Sequence, residues 1–127
     1  MPQRKFLKPV EGTFPTHYRH EARENYLEVS AGPDALLVSS ETNRGTHMPA
    51  IDLDMPASLV PSSTEGHSHL FIDVEMSWRK YRGVLRALYR AGVIERGFYK
   101  ASLARRRTQL RTEIFKKTAA EKAAARV

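Results

Sequence analysis

Residues 67–76, HSHLFIDVEM, alternate strictly with a period of two. Leu70, Ile72, Val74 and Met76 fall on one side of an extended chain, and His67, His69, Phe71, Asp73 and Glu75 fall on the other. A helix would scatter both sets around its axis, whereas a strand sends alternate side chains to opposite faces. A shift of one residue would exchange the apolar face for the charged one, so the pattern predicts a strand of well-specified register.

A second segment has the same character. In Ile51-Asp52-Leu53-Asp54-Met55, the three apolar residues share one face and the two acids the other, which predicts a second strand. Tyr26-Leu27-Glu28-Val29-Ser30 also alternates. A turn signal, Ala31-Gly32-Pro33-Asp34, leads from it to Ala35-Leu36-Leu37-Val38-Ser39-Ser40, its expected hairpin partner.

From Ser77 the period changes. Ser77 is suited to cap a helix whose apolar positions Trp78, Tyr81, Leu85 and Leu88 recur every three or four residues. On this stripe Trp78 and Tyr81 read as core anchors, and Gly92 is a natural stop. A short second helix is expected over 97–106, and a last strand over 107–111.

Strands followed by helices predict an α+β class: a small antiparallel sheet with helices packed on one face. The expected organisation is a flexible N-terminal arm over 1–24, broken by Pro2, Pro9 and Pro15, then one domain over 25–115 and a basic, Ala-rich tail over 116–127.

The net charge of +7 is segregated. Residues 1–76 hold 6 Lys and Arg against 11 Asp and Glu; residues 77–127 hold 15 against 3. Such separation is the electrostatic footprint of a protein that meets phosphates, and it points to DNA, RNA or a nucleoside triphosphate as partner. Arg105, Arg106, Arg107, Lys116 and Lys117 are the densest cluster. With no cysteine in the chain, disulfides, thiolate metal sites and thiol catalysis are excluded. No apolar run is long enough to span a membrane, and MPQRKFLKPVEG lacks the apolar stretch of a signal peptide. A cytoplasmic protein with no membrane partner is expected.

If the strands at 51–55 and 67–76 are neighbours, their apolar faces point together toward the helices. Asp52, Asp54, Asp73, His67 and His69 then converge on the open face. Adjacent carboxylates repel unless something positive lies between them. Mg²⁺ or Mn²⁺ suits Asp52 and Asp54, because such hard ions keep waters and accept phosphate oxygens. The histidines could instead donate to phosphate or take a softer ion such as Zn²⁺. The preceding turn, with Ser62 and Ser63, offers hydroxyls and backbone N–H groups as a phosphate cradle. The plainer explanation for every one of these residues is a solvated sheet face.

The order Ile-Asp-Leu-Asp, then Ser-x-x-x-Gly-His-x-His-Leu-Phe-Ile, resembles the palm of the archaeo-eukaryotic primase superfamily over about residues 50–76. The resemblance implies a minimal or degenerate, phage-type nucleotidyltransferase palm. In it, Asp52 and Asp54 would hold the metal and Asp73 would supply a third acid. Ser63, His67 and His69 would contact nucleotide phosphates, and Arg111, in Thr108-Gln109-Leu110-Arg111, would face them. The segment His67-Ser68-His69, with a nearby acid and Tyr81 or Tyr89, is also similar to the site of the HUH single-strand DNA endonucleases. The alternative to both is a non-enzymatic basic protein that binds nucleic acid or another partner.

Overall fold

The computed structural model describes residues 1–11 and 22–112. The fold is α+β, with two small antiparallel sheets and two α-helices among the described residues. It divides into two compact units, Met1–Asp52 and Leu53–Val127, where the sequence suggested one domain over 25–115.

The first unit is a three-stranded sheet. Strand β1 (Arg4–Pro9) lies in the centre, flanked by β2 (Tyr26–Val29) and β3 (Leu37–Thr42), both antiparallel to it. Two expectations are corrected here. The segments 26–30 and 35–40 are not each other's hairpin partners, because β1 stands between them. Residues 4–9 of the expected arm are the central strand. Pro9, which cannot donate to a ladder, occupies the last β1 position, paired with Tyr26. Beyond it, Val10 resumes donation, to the Asn25 carbonyl at 2.8 Å.

Charge and hydroxyl chemistry tie this sheet together. Lys5 Nζ on β1 lies 2.9 Å from Glu41 on β3 and 3.3 Å from Glu28 on β2. Arg23 completes the group at 2.7 Å from Glu41. Thr42 is fully buried. Its hydroxyl accepts from the backbone N–H groups of Arg44 and Thr46 and bonds the Thr46 hydroxyl at 2.7 Å, so the turn after β3 has its donors satisfied.

The second unit begins with a hairpin, β4 (Ala57–Pro61) and β5 (Ser68–Ile72). The alternating segment 67–76 therefore contains a strand, but a shorter one than expected. It ends where Val74 donates back to the Ile72 carbonyl, a tight turn common at strand ends. Its partner is 57–61 and not 51–55, which is irregular. Alternation fits a residue run for a strand but does not supply a ladder. The segment 57–61 is joined to β5 by a six-residue loop, so it closes the ladder at the lower entropic cost. Leu70 and Ile72, expected in a core, are exposed at 56% and 40%.

Helices α1 (Trp78–Arg90) and α2 (Arg96–Arg105) follow and pack on each other. The Ser77 hydroxyl accepts from Lys80 N at 3.2 Å, as its capping role predicts. Gly92 takes the left-handed conformation, φ 78°, that lets Val93 donate to the Leu88 carbonyl and Gly92 to that of Tyr89. This pairing satisfies the last carbonyls of α1. Leu85 is buried in the second unit at 2% exposure. Tyr89 stacks on Tyr99, with ring centroids 4.6 Å apart and planes 12° apart, fixing α1 to α2. The Tyr81 hydroxyl bonds the Thr108 hydroxyl, which also lies 3.3 Å from Ser102 Oγ. Residues 107–111, expected as a last strand, are instead irregular and follow α2 back over α1 through Thr108.

Candidate nucleic-acid interface

Of the expected metal and phosphate residues, His69 alone lies on a paired strand among the described residues. Asp52 and Asp54 are exposed in the irregular segment before β4, and Asp52 closes the first unit while Asp54 belongs to the second. Asp73 is exposed just beyond the end of β5. His69 is half-buried on β5, directly across from Val60, and His67 is exposed in the loop before it. Among the described residues, no group of three or more His, Asp and Glu side chains is placed to hold a metal ion.

The Ser/Thr-rich loop uses much of its own hydrogen-bonding capacity. Ser62 N donates to the His67 carbonyl and His67 N to the Thr64 carbonyl, each at 3.0 Å. Thr64 N donates to the Ser62 hydroxyl at 3.1 Å. Gly66, at φ 78°, supplies the left-handed residue that this turn requires. Three backbone donors expected to face a phosphate thus close the loop on itself. The tyrosines are engaged as well: Tyr81 with Thr108 and Tyr89 with Tyr99.

A cleft of about 430 Å³ in the first unit is lined by Lys5, Arg23, Glu28 and Glu41. Its charges answer one another. Bonds from Lys5 first, then from Arg23, hold the Glu41 carboxyl down at about 2, and the same Glu41 and Glu28 contacts raise Lys5. With Glu24 also on its wall, the cleft holds three acids against two cations and so carries no excess of positive charge.

The helical pair is different. Residues 77–112 contain eleven Lys and Arg and a single acid, Glu95. On α1, Arg79, Arg82, Arg86 and Arg90 recur at intervals of three, four and four. At 3.6 residues per turn these positions share an arc of about 80°. The row lies beside the apolar stripe of Trp78, Tyr81, Leu85 and Leu88. All four arginines are exposed, and none forms an ion pair with a described residue. The first turn of α1 contains no acid, so no side chain there complements the positive end of the helix dipole.

Arg105, Arg106 and Arg107 are exposed at the end of α2. Arg106 adopts the left-handed conformation, φ 58°. This lets Arg107 donate to the Ser102 carbonyl and Arg106 to that of Leu103, the closure that glycine provides after α1. Arg107 Nε also donates to Gln109 Oε1 at 3.0 Å. Arg111 is exposed. Lys116, Lys117 and the 116–127 tail lie outside the described residues. The arginine row of α1 was missed as a site in the sequence, although the spacing that marks the apolar stripe marks it equally well.

Comparison with known proteins returns no matching family model, no matching curated protein and no matching solved structure. No helix among the described residues is long and apolar enough to cross a membrane.

Proposed function

We propose that this protein binds the phosphate backbone of nucleic acid, DNA or RNA, through the helical pair of its second unit. The observation that carries this reading is the imbalance over residues 77–112, eleven cations to one acid, with the arginines of α1 solvent-facing and outside any ion pair with a described residue. Solvation alone needs no such excess, and like charges crowded on one helix oppose its folding. A polyanion offsets that repulsion and releases its condensed counterions on binding. Contacts of this kind fix position on the strand and carry no base information, so binding is expected to be largely indifferent to sequence.

A metal-dependent nucleotidyl transfer at Asp52 and Asp54 depends on both acids sharing a strand face with His67 and His69. The irregular path of 51–55 favours the binding reading over the catalytic one. Fluorescence anisotropy with labelled single-stranded DNA, duplex DNA and RNA at low salt tests the proposal. Binding to more than one of these, with little dependence on base sequence, is expected. No binding to any of them would remove nucleic acid as the partner.

A further inference from the structure

Resting on that reading, we infer that Arg79, Arg82, Arg86 and Arg90 of α1 are the surface that tracks the nucleic-acid strand, each neutralising one phosphate. The four positions follow one side of the helix along its length, within an arc of about 80°. At a rise of 1.5 Å per residue the row is about 16 Å long, with successive charges about 4.5 to 6 Å apart along the axis. A regular line of cations on a rigid helix matches a polymer that presents charge at regular intervals. The cluster Arg105–Arg107 bunches its charges at one helix end and offers no such line.

Three further observations support this face. The apolar side of α1 is already engaged within the second unit, by the burial of Leu85, the Tyr89–Tyr99 stack and the Tyr81–Thr108 bond. That leaves the charged side for a partner, and it withdraws the apolar side from insertion into a lipid surface. The row is also electrostatically unfavourable in the free protein. Neighbours three and four residues apart carry the same sign, and Arg79 sits in the first turn, where the helix dipole already disfavours a cation. Finally, Gly83 and Ala87 flank the row, and a Cβ added at Gly83 would meet nothing within 4 Å. The backbone beside the arginines is therefore open to close approach.

The test uses the full chain, a labelled mixed-sequence single strand, and anisotropy titrations across a series of salt concentrations. Three variants are compared with the wild type. One carries Arg79→Gln, Arg82→Gln, Arg86→Gln and Arg90→Gln together. A second carries lysine at the same four positions. The third carries Arg105→Ala, Arg106→Ala and Arg107→Ala. Loss of four phosphate contacts should make the log–log salt slope of the glutamine variant shallower by about 2.8, at about 0.7 per contact on a single strand. The lysine variant should keep the slope, since charge and not hydrogen-bond geometry sets it. The glutamine variant, free of nucleic acid, should melt at or above the wild-type temperature. If it melts lower, the single variant Arg86→Gln carries the test, with an expected change of about 0.7. An unchanged slope in the glutamine variant, with loss in the Arg105–Arg107 variant, would overturn the row and leave the nucleic-acid reading standing. A wild type that binds no oligonucleotide but sediments with phosphatidylserine vesicles would overturn both.

Discussion

Leu59 and Leu70 face each other directly across the β4–β5 hairpin, and water reaches both, at 68% and 56% exposure. Ala57 opposes Ile72 on the same face, so the apolar side of this ladder is continuous yet open. The buried apolar anchor of the second unit lies instead on α1, at Leu85. Leu85→Ala should therefore destabilise the protein by about 2–5 kcal/mol. Ile72→Ala removes a side chain that is already 40% exposed and should lower stability by only about 1 kcal/mol. Urea unfolding of the two variants checks the ranking. Equal losses would mean that the hairpin face is buried in solution.

The Lys5–Glu41–Arg23 group predicts an acid-sensitive first unit. Glu41 is lowered from an ordinary 4.5 to about 2 by its bonds to Lys5 and Arg23. A depressed carboxyl contributes stability that is complete above pH 4.5 and is lost as pH falls toward 2. Lys5 is raised above 10.5 by Glu41 and Glu28. Its contribution is complete below pH 10.5 and is lost as pH rises through the higher folded value. Glu41→Gln should flatten the acid limb of a stability–pH profile and lower the plateau near neutrality. An acid limb identical to the wild type's would assign acid sensitivity to other groups.

Arg106 and Gly92 close the two helices with the same left-handed geometry but different side chains. A non-glycine residue in that conformation is disfavoured by about 1 kcal/mol. Arg106→Gly should therefore raise thermal stability, and Gly92→Ala should lower it by about 1 kcal/mol. Calorimetric melting temperatures provide the comparison, and opposite signs are expected. Arg106→Gly should also weaken nucleic-acid binding slightly, because one cation is lost.

Divalent metal provides a separate check on the acids at 52 and 54. An ion bound only by the folded state raises the melting temperature by mass action. The irregular path of 51–55 gives Asp52 and Asp54 no shared strand face, so little change in melting temperature with Mg²⁺ or Mn²⁺ is expected. A rise that the double substitution Asp52→Asn, Asp54→Asn abolishes would support a metal site at these two acids.

Features fixed by local chemistry were legible in the sequence. The Ser77 cap, the apolar spacing from Trp78 to Leu88 and the Gly92 stop all lie within a few residues of the structure they specify, and α1 forms where they place it. The α+β class follows from the same local patterns. Strand pairing was not legible, because the partner of a strand is a distant and competitive choice. Arg4–Pro9 reaches past more than twenty-five residues to pair with Leu37–Thr42, and nothing within RKFLKP announces it. The alternation of Asp52 and Asp54 satisfied a strand pattern, but 57–61, which the sequence reading passed over, took the place beside β5. The arginine row is present in the spacing of α1, and it is left to solvent because the adjacent apolar stripe is engaged within the second unit.

The most direct measurement of the central claim is the salt dependence of wild-type binding to a labelled single strand. If the helical pair meets the phosphate backbone through at least the four arginines of α1, log Kobs should fall linearly with log salt concentration, with a slope of about −2.8 or steeper. A slope near zero, or no binding at low salt, would contradict the account.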